Sequence, residues 1–172
     1  IRNCDWSSDV CSSDLGNLVK NYTPIVGDAG ITFTMSKFPG FIGNFPIRVW
    51  GEYINNVAVG SKQQGYSAGV TFGKSGKKRN WDVAYRYKYL GADAWYEEFV
   101  DSDTGAYDFA SSTSYVPGTG VRGHIVKLGY SPADSLTFNV TGAFVELIST
   151  PGANPNRDTA MTRIQVDATW KF

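Results

Sequence analysis

Residues 79–89 read RNWDVAYRYKY, a stretch in which large apolar side chains alternate with smaller or polar ones. One parity of this segment is apolar and aromatic: Trp81, Val83, Tyr85, Tyr87 and Tyr89. The other parity is mostly polar or charged: Asn80, Asp82, Ala84, Arg86 and Lys88. Because successive side chains of a β-strand point to opposite sides, this period of two predicts a strand with one apolar and one polar face.

The same alternation recurs along the chain, in segments 29–37, 45–54, 64–73, 79–89, 121–130, 135–146 and 159–172. Several of these segments are long: strands of soluble proteins are most often about five or six residues, whereas a tilted membrane-crossing strand needs about 9–11. Gly16–Gly30 predicts no strand, because Pro24 and Gly27 interrupt it, and we expect it to belong to a loop.

Composition excludes several classes of protein. Lys and Arg together equal Asp and Glu, at 16 each, so charge gives no argument for nucleic acid as a partner. No apolar run is long enough to predict a transmembrane helix.

The first fifteen residues are set apart from the rest of the chain by their sequence. Residues 5–15, DWSSDVCSSDL, resemble the conceptual translation of a sequencing adapter, so Ile1–Leu15 are treated as a non-native segment. Both cysteines lie in it, and residues 16–172 therefore predict neither a disulfide framework nor a Cys-based metal site.

The connections between the predicted strands alternate in length. Residues 74–78 and 131–134 are tight turns, and 38–44 is an intermediate Pro/Gly turn on the same side, whereas 55–63, 90–120 and 147–158 are long loops. Transmembrane β-barrels have short turns on the periplasmic side and long loops outside the cell. The alternation therefore predicts strands that run up and down, with the short turns together at one end.

Aromatic residues of the apolar parity gather near the predicted strand ends. The turn side carries Phe45, Phe72, Trp81, Tyr130, Phe138, Trp170 and Phe172. The loop side carries Tyr53, Tyr66, Tyr87, Tyr89 and Phe144. An aliphatic band lies between them: Val49, Val70, Val83, Leu128, Val140 and Val166. Aromatic girdles around an aliphatic band are typical of barrels that meet two water–lipid interfaces.

We therefore expect an all-β fold, a transmembrane antiparallel up-and-down β-barrel, present here as a partial barrel of about seven strands. Seven is odd and below the minimum of eight for a bacterial single-chain barrel, so residues 16–172 are expected to be the C-terminal part of a larger one.

The charged residues of the polar parity are the candidate pore-lining residues: Arg48, Glu52, Asp82, Arg86, Lys88, Lys127, Arg163, Asp167 and Lys171. An Arg or Lys facing lipid at mid-depth costs about 2–4 kcal/mol, whereas the same residue facing a water-filled lumen costs little. Six of the nine are basic, which favours anions slightly. The alternative is the solvent-facing side of an ordinary antiparallel sheet. Trp50 departs from the pattern, because it falls on the polar parity between Arg48 and Glu52.

The chain ends ATWKF, residues 168–172, which resembles the C-terminal signature that the barrel-assembly machinery recognises. This resemblance implies that Trp170 and Phe172 form an assembly signal. FPIRVWGEYINN (45–56), WDVAYRYKYLGADA (81–94) and FVDSD (99–103) resemble a family of bacterial outer-membrane porins, over most of residues 30–172. The resemblance implies a general diffusion channel with a larger barrel, of about sixteen strands.

The expected function is passive diffusion of small hydrophilic solutes or ions across the bacterial outer membrane, without enzymatic activity, cofactor or bound metal. Expected partners are outer-membrane lipid and lipopolysaccharide, the barrel-assembly machinery, small solutes and, in a homotrimer, further copies of the chain. No nucleic acid is expected.

Three alternatives remain open at this point. A lipase-like outer-membrane enzyme would need a Ser or Asp partner for His124, the single histidine. A structural or adhesive barrel would have a plugged lumen, and a soluble β-sandwich would bury its apolar face.

Loop 90–120 carries six acidic residues without Lys or Arg, and is either a solvated surface loop or a site for divalent cations.

Overall fold

The computed structural model of the chain describes residues 22–95, 105–108, 114–116, 118–148 and 159–172. These residues form nine strands: β1 (Pro24–Met35), β2 (Phe45–Asn56), β3 (Gln64–Gly73), β4 (Trp81–Leu90), β5 (Ala106–Asp108), β6 (Ser114–Val116), β7 (Val121–Ala133), β8 (Leu136–Leu147) and β9 (Met161–Trp170). None of the described residues forms a helix of the length and hydropathy that would cross a membrane.

Seven of the strands form one sheet in the order β1-β2-β3-β4-β7-β8-β9, and each pairs antiparallel with its neighbours. These strands are 10–13 residues long. The prediction of an all-β, antiparallel, up-and-down arrangement of seven long strands is confirmed. The sheet is not closed, because β1 and β9 are its two edges.

The prediction that Gly16–Gly30 contains no strand is wrong for its last residues. Strand β1 begins at Pro24 and pairs with β2 along its whole length, from Pro24 opposite Asn56 to Met35 opposite Phe45. Proline is tolerated here because it is the first residue of an edge strand, where its missing N–H removes no ladder bond from the sheet interior. Gly27 continues the strand opposite Tyr53, since a single glycine weakens a strand without ending it.

Loop 90–120 also contains structure that the sequence did not predict. Strands β5 and β6 pair as a short antiparallel hairpin. Ala106 at its start is buried against the end of the large sheet, in a cluster completed by Val121, Ala143, Val145 and Leu147. We call these five residues the loop-end cluster. Part of the longest connection therefore folds back onto the sheet.

The sheet has two different ends. The turn end carries the connections 36–44, 74–80 and 134–135, and the loop end carries 57–63, 91–120 and 148–160. Strand β7 extends into the predicted turn at 131–134, as far as Ala133, with a break in register between Tyr130 and Ala133. A bulge of this kind accommodates Pro132, which has no N–H for the ladder.

Side chains at the turn end connect the turns to one another. Asn80 is buried and bonds to both backbone groups of Ile42, accepting from N at 3.0 Å and donating to O at 3.1 Å. The Ser131 hydroxyl accepts from the Gly76 backbone N at 2.7 Å and lies 2.8 Å from Thr137 Oγ1. These contacts join the first short turn to the second, and the second to the end of β7. Asp134 Oδ1 accepts from the Lys78 backbone N at 2.7 Å and joins the second turn to the third.

An aromatic cluster completes the turn end. Phe38 stacks on Phe45 with centroids 4.1 Å apart, and Phe41 meets Phe45 edge to face at 5.0 Å. Trp81 closes the cluster, 5.5 Å from Phe45, and its indole N–H donates to the Gly40 carbonyl at 3.3 Å. Phe45 is consequently 1% exposed.

One amide holds the loop end together. Asn56 is fully buried, and its Nδ2 donates to the Asp93 carbonyl at 2.8 Å. Its Oδ1 accepts from the backbone N of Thr23 at 2.9 Å and of Ala58 at 3.2 Å. Asn56 thus joins the start of β1, the β2–β3 connection and the segment after β4.

Candidate functional site: the concave polar face

The strand register separates the two sides of the sheet. Residues directly opposite each other in neighbouring strands lie on the same side, and one such row crosses all seven strands with apolar residues only: Phe33, Ile47, Phe72, Val83, Leu128, Val140 and Val166. We call this side the apolar face. Its side chains are exposed: Leu128 is 50% exposed, Val166 68% and Ile164 72%.

The opposite side, the polar face, shows different rows. One consists of Thr32, Arg48, Thr71, Ala84, Lys127, Thr141 and Gln165. The next row consists of Gly30, Trp50, Gly69, Arg86, Ile125, Ala143 and Arg163. A Cβ atom on Gly69 would be 3.0 Å from the Trp50 ring, so the indole lies over Gly69, the register neighbour of Arg86. The Trp50 side chain therefore lies flat against the polar face of the sheet.

The polar face is the concave side of the sheet. Trp50 of β2 and Arg163 of β9 line the same groove, although four strands lie between β2 and β9. Five strand spacings of a flat sheet would separate them by roughly 24 Å. Lys171, just after β9, likewise lines a cavity with Asn44 and Pro46 at the start of β2. The sheet must curl toward the polar face to bring these residues together.

The groove between β2 and β9 is basic. It has a volume of about 290 Å³ and contains three cations from three strands, Arg86, Lys127 and Arg163. Thr71, Thr141 and Gln165 add polar groups, and no carboxylate is among its described lining residues. We call it the basic groove. Its charge makes it suited to attract small anions.

A second cavity, the loop-end pocket, lies beside the basic groove and has a volume of about 350 Å³. Its polar wall consists of Glu52, Ser67, Arg86 and Lys88. Its apolar wall includes Ile54, Leu90 and Trp95. Arg86 lines both cavities and connects them.

The remaining candidate residues lie elsewhere on the polar face. Arg48 stands opposite Thr71, which lines the basic groove. Three others lie toward the turn end: Asp82, Asp167 and Lys171. Asp82 Oδ1 accepts from the Ser75 backbone N at 3.0 Å, and Asp167 accepts from Gln165 Nε2 at 3.0 and 3.1 Å. The structure therefore brings Glu52, Arg86, Lys88, Lys127 and Arg163 to the two cavities and leaves the other four outside them.

Sequence reasoning missed Ser67 and Trp95. Ser67 shares the polar parity of β3, but only charged residues of that parity were selected as candidates. Its position opposite both Glu52 and Lys88 depends on the pairing register. Trp95 follows the end of β4, in a loop whose path period-two reasoning does not predict.

The loop end of the apolar face carries polar groups in pairs. Arg122 Nε lies 2.7 Å from Glu146 Oε1. His124 Nδ1 is 2.7 Å from the Tyr85 hydroxyl, and among the described residues no Ser or Asp accompanies it. Each of these polar groups therefore has a partner beside it on an otherwise apolar surface.

The proposed girdle and assembly residues differ in environment. Phe45, expected at the outer surface, is instead buried, because Phe38, Phe41 and Trp81 cover it. Trp170 and Phe172 are largely exposed at the turn end. Whether they act as an assembly signal stays a prediction.

The acidic residues of loop 90–120 fall mostly outside the described residues: Glu97, Glu98, Asp101 and Asp103, with the side chain of Asp108. Asp93 is described, and its backbone N donates to the Lys62 carbonyl at 3.0 Å. Within the described ranges, no group of three or more His, Cys, Asp or Glu side chains has an arrangement suited to a metal ion. A divalent-cation site in this loop therefore stays one of the two alternatives that the sequence predicts.

Comparisons with protein-family models, with curated proteins and with solved structures find no match to this chain.

Proposed function

We propose that the chain is part of an outer-membrane β-barrel of the porin type, through which small hydrophilic solutes and ions diffuse passively. One observation carries the proposal: a curled sheet of long strands exposes a continuous apolar row on its convex side and gathers its charges on its concave side. A barrel in a membrane needs this distribution, because lipid covers the outside and water fills the inside.

The exposed apolar face supports a membrane location. Monomeric soluble proteins rarely expose contiguous apolar patches larger than a few hundred Å². Here the apolar row continues across all seven strands, and lipid would cover it. Arg122, His124 and Glu146 lie at the loop end, where the lipid headgroups would begin and a charge costs only about 0–1 kcal/mol.

The concave face supports a channel. The cations of the basic groove would attract anions into a water-filled lumen, and solutes would be sorted by width and charge. The unpaired edges of β1 and β9 support a larger barrel, because unpaired backbone groups in lipid cost several kcal/mol each. Further strands would pair with both edges. Lipopolysaccharide, the assembly machinery and, in a homotrimer, other copies of the chain would be its partners.

Conductance tests this function directly. The complete barrel that contains this chain, inserted into planar lipid bilayers in potassium chloride, should give stepwise ohmic currents with a slight preference for chloride. Changing Lys127 and Arg163 to Glu should shift the reversal potential toward potassium selectivity, because both side chains line the basic groove. Membrane-inserted protein without any conductance would contradict the channel.

A pair of adjacent residues distinguishes a membrane barrel from a soluble sheet. Leu128→Arg places a charge at mid-strand on the apolar face, which costs about 2–4 kcal/mol in lipid but no more than about 0.5 kcal/mol on a solvent-facing surface. We expect this variant to lose protease-resistant protein from the outer-membrane fraction. The matched control, Lys127→Arg, keeps the charge of the polar face and should assemble normally. Normal assembly of Leu128→Arg would contradict the membrane location.

A further inference from the structure

The loop-end pocket contains two hydrogen-bonding atoms without a partner. Ser67 is 5% exposed, and its Oγ has no hydrogen-bond partner among the described residues. Arg86 Nε is likewise buried and has no partner within that part of the chain. A buried polar group without a partner destabilises the fold by about 1–3 kcal/mol, so such groups are rare in native proteins and often mark a functional site.

Strand register places these two groups side by side. Ser67 stands directly opposite Lys88, and Arg86 is the next residue of β4 on the same face. Glu52 stands opposite Ser67 on its other side. Three hydrogen-bond donors, from Ser67, Arg86 and Lys88, therefore lie on one part of the wall. The only carboxylate among the described residues that line the pocket is that of Glu52, on the strand at the other side of Ser67.

The apolar wall lies toward the loop end. Ile54 and Leu90 both close over Gly65: a Cβ atom there would be 2.7 Å from Ile54 Cγ2 and 2.6 Å from Leu90 Cδ1. Trp95 extends this wall beyond the end of β4. The pocket thus has one polar end with two cationic side chains and one apolar end.

Hydrogen bonds hold the wall in place before a ligand arrives. The Gly91 backbone N donates to the Gln64 carbonyl at 2.9 Å, and the Asp93 backbone N donates to the Lys62 carbonyl at 3.0 Å. Asn56 Nδ2 donates to the Asp93 carbonyl. The segment that carries Trp95 is therefore fixed to the β2–β3 connection, and a fixed wall loses little conformational entropy on binding.

We propose that the loop-end pocket is a binding site for small monocarboxylates with a short hydrocarbon chain. The carboxylate accepts from Arg86 Nε and Ser67 Oγ, near the positive charge of Lys88, and the chain contacts Ile54, Leu90 and Trp95. A cavity of about 350 Å³ is of the size that proteins use for small ligands. The binding follows from the pocket itself; its role in selecting solutes rests on the proposed channel.

Calorimetric titration of the complete barrel that contains this chain, in detergent micelles and with hexanoate as the probe, tests the site without requiring transport. Hexanoate should bind saturably, and hexanamide, which has the same chain without the charge, should bind at least about tenfold more weakly. Acetate should also bind more weakly, because it lacks the chain. Equal heats for hexanoate and hexanamide, or no saturable binding of hexanoate, would overturn the proposal.

Three variants locate the binding. Arg86→Met removes the guanidinium and keeps an unbranched chain, and should weaken hexanoate binding about tenfold or more. Ser67→Ala removes only the hydroxyl, leaves no buried group unpaired at that position, and should weaken binding about threefold. Lys127→Met, the control, removes a cation of the basic groove that does not line the pocket, and should change affinity less than about twofold. Equal losses in Lys127→Met and Arg86→Met would mean general charge attraction and overturn the site.

Conductance of the same preparations separates this proposal from the channel. Currents in potassium chloride without hexanoate binding would contradict the pocket alone. Hexanoate binding without currents would support the pocket and contradict the channel.

Discussion

The turn end and the loop end of this sheet are stabilised in different ways. At the turn end, side chains join neighbouring short turns, and three aromatic rings around Phe45 exclude water. At the loop end, the buried amide of Asn56 and a small aliphatic cluster connect segments that are far apart in sequence. The proposed ligand pocket lies at the loop end. The proposed pocket thus lies at the end with the longer connections, as in many folds whose loops hold the binding residues.

The largest expected effect is at the aromatic cluster. Phe45→Ala should lower the free energy of unfolding in detergent micelles by about 3–5 kcal/mol, because it leaves a cavity between Phe38, Phe41 and Trp81. Phe144→Ala at the loop end is the control. Phe144 is half exposed, so its loss should be less than about 2 kcal/mol. Equal losses would mean that the turn end has no special core.

A smaller effect is expected for the loop-end amide. Asn56→Ala removes three hydrogen bonds and should lower the free energy of unfolding, measured by urea titration in detergent micelles, by about 3 kcal/mol. Asn80→Ala at the turn end removes two and should cost about 2 kcal/mol. Asn56→Ala should also weaken hexanoate binding, since it releases the segment that carries Trp95, whereas Asn80→Ala should not. Equal effects of both variants on binding would argue against a positioning role for Asn56.

Insertions into one connection at each end test how strongly the stability of that end depends on the length of its connection. Three residues, Gly-Ser-Gly, inserted after Gly60 should cost less than about 0.6 kcal/mol, since that loop is already long and loop closure depends only weakly on length. The same insertion after Gly76 should cost about 2 kcal/mol, because it displaces the bonds from Gly76 N to Ser131 and from Ser75 N to Asp82. Equal tolerance would show that the turns are merely close together.

The smallest expected effect concerns two glycines in open space. Gly76 has φ of 101° at the turn end, a conformation that disfavours any Cβ, so Gly76→Ala should destabilise by about 1 kcal/mol. Gly60 has no positive φ, and Gly60→Ala should leave stability unchanged or raise it by about 0.4 kcal/mol, by restricting the unfolded chain. A loss of stability in Gly76→Ala without a loss in Gly60→Ala is the decisive result, and the urea midpoints of the two variants measure it.

The turn end is where sequence reasoning succeeded best. Period-two alternation predicted the seven long strands, and the Gly- and Pro-rich stretches predicted the short connections, because both signals are local. Strand parity predicted the separation of polar from apolar side chains, and Arg86 and Lys127 lie where it placed them. Parity did not predict the burial of Phe45, since three aromatic residues outside its strand cover it.

The loop end was harder to predict because its structure depends on contacts distant in sequence. Pro24 predicts a loop when only its sequence neighbours are considered. In the structure it begins β1, because β2 pairs with that strand. Nothing in the sequence distinguishes Asn56 from other polar residues. Its role depends on hydrogen bonds to the backbone of Thr23, Ala58 and Asp93. Ser67 became a candidate ligand only when its register neighbours were known. Sequence thus predicted the polar face but not the pocket within it.

The direction of the edge strands has a consequence for completing the sheet. Strands β1 and β9 both run from the loop end to the turn end, because seven alternating strands begin and finish in the same direction. Joining them directly would place one parallel seam in an otherwise antiparallel sheet, with a different hydrogen-bond spacing. A closed barrel in which all neighbouring strands are antiparallel therefore requires an odd number of further strands between β9 and β1. An engineered extension that supplies an even number would leave this mismatch at its closing edge.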